Sequence, residues 1–587
     1  MTLADAAREA TDEALARLVC SGAFGDNHAR SDLIPDHQVE AAAKMIDSTD
    51  ICAHLAEWRA KDRAGKGSGG RPASLGDRAV LVLFVLLALE HSPLLVTRMA
   101  ETISRRLSDK AKGLLGIDPA ETAEKDWYDR AWRTIHSFLE VVDPFPAKGK
   151  RNRLLSKAEW ADVLATRDPV ESARKQERLD WMANALLEAT LRMIPRDVRR
   201  RWKGNLCIDA TPVAAFGKRG TTRKSDLVGI EPDAAWYVRE ADHRDPGDDR
   251  GKQYRKSLWG WEATLSVMST NDPTGPVEIP YLVGAIGFGK PGHDVSGHGT
   301  RTFSSIVERG HPVGHAIADR AYFPNSKPED LQLPLRALGY DLVFDYRADQ
   351  LGIRDGHAGA IQVEGAWYCP SMPQPLIDAT LDYRVNKVID EATWRQRIEQ
   401  RRNYLLRAKE RPDADGHVPM ACPAAGPSAT VSCPLKPAKG RTAGRTRIPI
   451  VPAHPDRICT NRASVSFPPS AGAKYDQALH FGGPEWQTMY STARNTIEGF
   501  NGYLKDANRE ALDQPGRRRI RGYTAQYLFT TLLVVSANIR KLRAFLAEAA
   551  AGADGILKRM STRAPRRRDR LADYRPVPAV GGDPPAA

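Results

Sequence analysis

The chain has little cysteine, 7 residues in 587, and the number is odd. That excludes a fully paired disulfide framework and points to a reducing compartment, the cytoplasm. Long hydrophobic runs are also missing. The strongest, AVLVLFVLLAL from Ala79 to Leu89, falls short of the roughly 18 apolar residues that span a bilayer, so it reads as a buried core helix and no membrane partner is expected. Residues 1–30 are polar, with Asp5, Glu9, Asp12 and Glu13 early on, and no secretory leader is expected. Charge of one sign does not dominate: 86 Lys and Arg stand against 73 Asp and Glu, a net charge of +13 spread along the chain. Such an excess suits a polyanionic partner, because phosphates attract Lys and Arg and release counterions, but it also suits a basic protein with no such partner. With 42% hydrophobic and 27% charged residues, global disorder is excluded and sizeable cores can form.

What is present divides by character. Residues 1–200 read as helical, with a flexible basic linker from Gly65 to Pro72 and a break at Pro144 and Pro146. They suit an all-α DNA-end-binding region or a helical scaffold with a solvated basic face. The pattern changes at Asn205. NLCIDATPVAAFG, WGWEATLSVMS, IPYLVGAIGF, HPVGHAIADRAYF and DLVFDYR read as strands, with helices at TRTFSSIVERG and LQLPLRALGY. Strands and helices mixed in this way predict an α/β sheet over residues 201–347. Residues 348–485 are rich in Pro, Gly and Arg and read as an inserted subdomain, with WRQRIEQRRNYLLRAKER as one basic helix. Two helices within 486–550 are expected to return to the core, and residues 551–587 read as a basic, Pro-rich, disordered tail.

Three acids stand out by context. Asp209 lies inside an apolar strand, where a charge is costly unless paired with a cation or placed at a strand end. Asp319 ends the strand HAIAD, where open α/β sheets place their sites. Glu498 lies on a helix in which Arg494, Glu498 and Lys505 share one face and Ile497, Phe500 and Leu504 share the neighbouring apolar one. Tyr490 precedes Arg494 by four and joins the polar face if the helix starts early enough. Singly, each acid reads as a capped turn residue or a surface ion pair worth little. Together they suit Mg²⁺, a hard cation that prefers carboxylate oxygens and, as a pair of ions, serves in-line phosphoryl displacement.

IDATPV, HAIADRAYFPNSKPEDLQLPLRALGYDLVFDYR and YSTARNTIEGFNGYLKD resemble the three acidic blocks of bacterial insertion-sequence transposases of the DDE class. The likeness covers about 205–347 and 490–545. It implies a ribonuclease-H-like core of mixed sheet and flanking helices. It further implies Asp209, Asp319 and Glu498 as ligands of catalytic Mg²⁺, for which Mn²⁺ can substitute. Arg494, Lys505 and Tyr490 match a Tyr/Arg/Glu/Lys signature of one subgroup, with Tyr490 one residue out of place, and the likeness gives them to DNA contact. It implies double-stranded DNA as partner, both element ends and target, a homo-oligomer on that DNA, and a nucleoid-associated location. A non-enzymatic DNA-binding protein derived from a transposase, and a metal-dependent nuclease, are the alternatives. His293 and Asp294 stand where relatives often carry a His-Asp pair; a Gly-rich surface loop is the preferred reading.

Cys369, Cys422, Cys433 and Cys459 all fall in the insertion, the first three each before a proline. Four thiolates could form a structural Zn²⁺ site. No C-x2-C pair is present, so scattered free thiols are the expected state and zinc the alternative.

Overall fold

The computed structural model describes residues 3–24, 33–64, 75–120, 124–146, 154–217, 227–242, 253–320, 322–436, 444–448 and 450–551. The expected linker at 65–72 and all but the first residue of the expected tail lie outside them. The helical region contains α1 (Leu3–Cys20), α2 (Asp36–Asp47), α3 (Ile51–Arg63), α4 (Asp77–Leu89), α5 (Val96–Glu101), α6 (Asp109–Leu114), α7 (Glu124–Val142), α8 (Lys157–Ala165), α9 (Pro169–Arg192) and α10 (Arg196–Arg199). The apolar run expected as a core helix is α4, buried from Ala79 to Leu89. No helix among the described residues is long and apolar enough to cross a membrane. Helix α9 starts where its local chemistry says it should: the Asp168 side chain accepts from Val170 N, and Pro169 occupies the first position, where its missing N–H is no loss.

A six-stranded sheet follows: β1 (Leu206–Ala214), β2 (Ala235–Asp242), β3 (Gln253–Met268), β4 (Val283–Gly289), β5 (His315–Ala318) and β6 (Asp341–Phe344). The strand order is β2-β3-β1-β5-β6, and β4 also pairs with β3. β3 runs antiparallel to β1, β2 and β4, whereas β1, β5 and β6 are parallel. The sheet is therefore mixed, with α11 (Val295–Glu308) and α12 (Gln332–Ala337) connecting its strands. Every expected strand is present. β2 is an addition, in a stretch that read as polar and charged; its Trp236, Tyr237 and Val238 are strand-forming residues that the surrounding charges mask. Helix α11 begins earlier than expected, at Val295.

Edge strand β4 shows how the helices hold the sheet. β3 is its strand neighbour, and its outer backbone groups are met by side chains. Asn184 of α9 donates to Ile286 O (3.2 Å) and accepts from Ile286 N (3.0 Å). Arg309 donates to Gly284 O at 2.7 Å. The last described helices are α17 (Pro484–Lys505) and α18 (Tyr523–Ala550). Asn538 of α18 exchanges two 2.9 Å bonds with Val283, and the Tyr527 hydroxyl donates to Ile286 O at 2.9 Å. An edge so covered cannot template pairing with another chain.

Between β6 and α17 the insertion folds into short elements: β7 (Ile353–His357), β8 (Ala360–Val363), β9 (Ala366–Tyr368), α13 (Gln374–Ile377), α14 (Ala379–Leu381), α15 (Glu391–Arg401), β10 (Arg407–Ala408), β11 (Val418–Ala421), β12 (Val431–Ser432), β13 (Thr446–Arg447), α16 (Arg457–Thr460) and β14 (Val465–Phe467). The single basic helix expected here is shorter than its sequence suggested. It ends at Arg401, passes through a 3₁₀ turn over Arg402–Tyr404, and continues as strand β10. The cause is Arg401 itself. Its buried guanidinium pairs with Glu364 at 2.5 Å and donates to Leu376 O and Ile377 O, fixing the helix end against α13.

Candidate active site

Strand register brings the first two acids together. In the parallel pairing of β1 with β5, Ile208 stands opposite Ala318, so the next residues, Asp209 and Asp319, lie at the same level. The pairing of β5 with β6 sets Ala318 opposite Phe344, which brings Asp345 level with them. Three acids thus end one parallel row. The sequence reading singled out two of them.

Helix α17 supplies the third expected acid. Ile497, Phe500 and Leu504 are buried, as their spacing requires. At the helix start, Trp486 Nε1 donates to Phe344 O (3.1 Å) and Gln477 Oε1 (3.0 Å), anchoring α17 at the end of β6. The polar stripe then faces the strand ends. Arg494 Nη2 donates to Glu498 Oε1 at 2.6 Å. Its Nη1 lies 3.9 Å from Asp209 Oδ2 and 3.7 Å from Asp319 Oδ2. One guanidinium therefore touches all three acids that the sequence singled out. Asn501, seven residues after Arg494 on the same stripe, donates to Asp209 Oδ2 at 3.1 Å, and Ala210 N donates to Asp209 Oδ1 at 2.9 Å. Sequence reasoning missed Asn501, although the spacing that linked Arg494 to Glu498 also reaches it.

The electrostatics follow from burial. The Asp209 carboxyl is pushed up to about 6, first by desolvation and then by the charge of Asp319, against the opposing pull of Arg494. Burial works against the charge of Arg494, but Asp209, Asp319 and Glu498 outweigh it and hold the guanidinium above its ordinary value. Asp345, which was not anticipated, is neutralised differently. It accepts from Arg320 Nη2 at 2.5 Å and from Arg384 Nη1 at 2.7 Å. Tyr490 turns inward and stacks on Trp486, centroids 5.0 Å apart at 8°. Its phenol is pushed up by burial and by Asp345. Lys505 is the last residue of α17, half-buried, about 10 Å along the axis from Glu498.

The donor set is all oxygen and suits a hard divalent cation. Arg494 Nη1 is buried and has no hydrogen-bond acceptor among the described residues, so a positive charge already stands between the carboxylates without satisfying its own geometry. No group of three or more His, Cys, Asp or Glu among the described residues is arranged to hold a metal ion. The residues fit Mg²⁺ in kind.

His293 and Asp294 lie elsewhere. They border a cavity of about 550 Å³ with Asp180, His298, Arg301 and Tyr523, and none of the three acids lines it. Asp294 precedes α11 in the left-handed region (φ 55°) and accepts from Arg301 at 2.9 Å. A cavity of about 1230 Å³ bordered by α1, α9 and α11 likewise carries none of the three. No disulfide joins the four insertion cysteines, and they are gathered rather than scattered: Cys369, Cys422 and Cys459 are buried in one apolar cluster and Cys433 packs against it.

No protein-family model, curated protein or solved structure matches the chain.

Proposed function

We propose that the chain is a DDE transposase with a ribonuclease-H-like core, cleaving DNA at the ends of its element and joining the 3′ ends to target DNA. The observation that carries this is the meeting of Asp209, Asp319 and Glu498, remote in sequence, at the single guanidinium of Arg494. Acids gathered from the middle of one strand, the end of another and a helix, in an all-oxygen donor set, suit phosphoryl transfer better than any structural ion-pair role. The mixed sheet with helices packed on it, and the net charge of +13, support the same reading.

Asp209, Asp319 and Glu498 would hold the divalent cations. Bound there, Mg²⁺ or Mn²⁺ supplies activation of an attacking oxygen and charge stabilisation of the leaving one. The chain's own residues do the rest. Asn501 and the Ala210 amide fix the Asp209 carboxylate. Arg494 neutralises the three acids until a cation and DNA arrive, and is then available to a phosphate oxygen, with Lys505 at the far end of the same helix. The partner is double-stranded DNA, with two copies of the chain needed to bring two ends together, in a nucleoid-associated setting.

The test uses the full-length chain and duplex DNA carrying the sequences that flank its own coding region. With Mg²⁺ we expect strand cleavage and joining, and the triple substitution of Asp209, Asp319 and Glu498 to Ala should abolish both. Activity unchanged in the triple variant would sink the site assignment. Hydrolysis without joining would favour a nuclease.

A further inference from the structure

The insertion must hold together with very little regular structure. Among its described strands the longest is β7, of five residues, and β10, β12 and β13 have two each. Its apolar cluster is separate from the main core. Small folds of this kind usually need a staple.

The cysteines sit where a staple would be tied. Cys369 directly follows β9, Cys422 directly follows β11 and Cys433 directly follows β12. Each is followed by a proline, which presets the backbone for a tight turn. The three turns are built alike. Met372 N donates to Cys369 O at 3.0 Å, Ala425 N to Cys422 O at 2.9 Å, and Lys436 N to Cys433 O at 3.1 Å. Burial pushes the thiols of Cys369 and Cys422 up, and the backbone at Ser371 and Ala424 opposes that in part. Cys459 comes from the opposite side, on α16, its own amide donating to Asp456 O at 2.8 Å. Cys422, Cys433 and Cys459 all lie within electrostatic reach of Cys369. Lys436, which closes the third turn, donates from Nζ to Ile458 O (2.8 Å) and Asn461 O (2.9 Å) and brings a positive charge beside Cys422 and Cys459.

We infer that Cys369, Cys422, Cys433 and Cys459 form a structural four-sulfur site for one tetrahedral divalent cation, zinc by its chemistry, which ties β9, β11, β12 and α16 together. Four thiolates select zinc over hard cations, and a site with no open position is structural rather than catalytic. As they stand, no three of these cysteines are arranged to hold a metal ion. Binding draws the turns inward and releases the thiol protons, and the charge of Lys436 offsets part of the net negative charge that four thiolates leave on the site. The spacing argument against zinc fails because the ligands come one per turn from four segments, and no C-x2-C pair is needed.

The experiment takes the full chain, purified without chelator, and needs no DNA. Metal analysis should give one zinc per chain. Replacement by Co²⁺ should give the sulfur-to-cobalt charge-transfer band and the intense visible bands of a tetrahedral four-sulfur centre. Cys433→Ser, at the half-buried ligand, should lose the stoichiometric metal, whereas Cys20→Ser should keep it. Chelation should open residues 348–485 to protease while the remainder resists. Substoichiometric zinc, with the four thiols alkylating in the native protein as fast as Cys20, would overturn the inference. So would a cobalt spectrum lacking thiolate bands. Because no readout involves DNA cleavage, failure here and failure of the transposase reading are separable.

Discussion

Arg494 reaches three carboxylates, and at Asp209 burial and the charge of Asp319 outweigh its pull. The Asp209 carboxyl lies near 6 in the folded chain against an ordinary 3.8. The folded state therefore binds more protons than the unfolded one between these values. The resulting stability is fully present below about pH 4 and is lost as pH rises through 6. Asp209→Asn should accordingly raise stability near pH 7 by roughly 1–3 kcal/mol, with little change near pH 4, while removing activity. Thermal melts of both proteins at the two pH values check this; an Asn variant less stable at neutral pH would mean that Asp209 is held by Arg494 more strongly than burial opposes it. That Asp209 is acidic and in a strand was legible from IDATPV. That it is buried beside Asp319 was not, because register between distant strands leaves no local mark.

Helix α17 carries a buried and a polar face side by side, and on the proposed function substitutions should separate docking from chemistry. Ile497 is fully buried, so Ile497→Ala should cost about 2–4 kcal/mol, read by denaturant unfolding. The Glu498 side chain is 59% exposed, and its pair with Arg494 is of the i,i+4 kind. Glu498→Gln should shift unfolding by less than about 1 kcal/mol yet abolish DNA cleavage. Equal losses of stability in the two variants would count against the division of faces. The helix was the most legible part of the site, since periodicity of 3.6 writes both faces into consecutive residues. Strand β2 and the early end of α15 were not legible. The first is decided by pairing with β3, the second by a buried contact between Arg401 and Glu364.

The boundary near residue 200 marks a change of element type, and the core runs across it. One apolar cluster extends from Leu15 to Leu542. Polar contacts cross it as well: Arg540 of α18 donates to Leu89 O at 2.5 Å and pairs with buried Glu510, and Asn538 donates to Thr190 Oγ1 at 2.9 Å. A chain beginning at residue 201 would expose the faces that α4 and α9 cover. We expect such a truncation to lose its cooperative melt and to bind a hydrophobic dye, whereas the full chain melts cooperatively. A truncated chain with a sharp melt and no dye binding would show that the helical region is dispensable to the fold.

Sequence alone determined most helices and strands of the main sheet and its flanking helices, the buried fate of the Ala79–Leu89 run, and the stripe that carries Arg494 and Glu498, because these are periodicities of adjacent residues. Tertiary structure decided what meets what. Parallel register placed Asp209, Asp319 and Asp345 in one row, a docked helix brought Arg494 and Asn501 over them, and three Cys-Pro turns and a short helix gathered four thiols. The physical reason is common to all three. Local propensity acts over a few residues, whereas pairing and packing join residues hundreds apart at no cost visible in the chain between them.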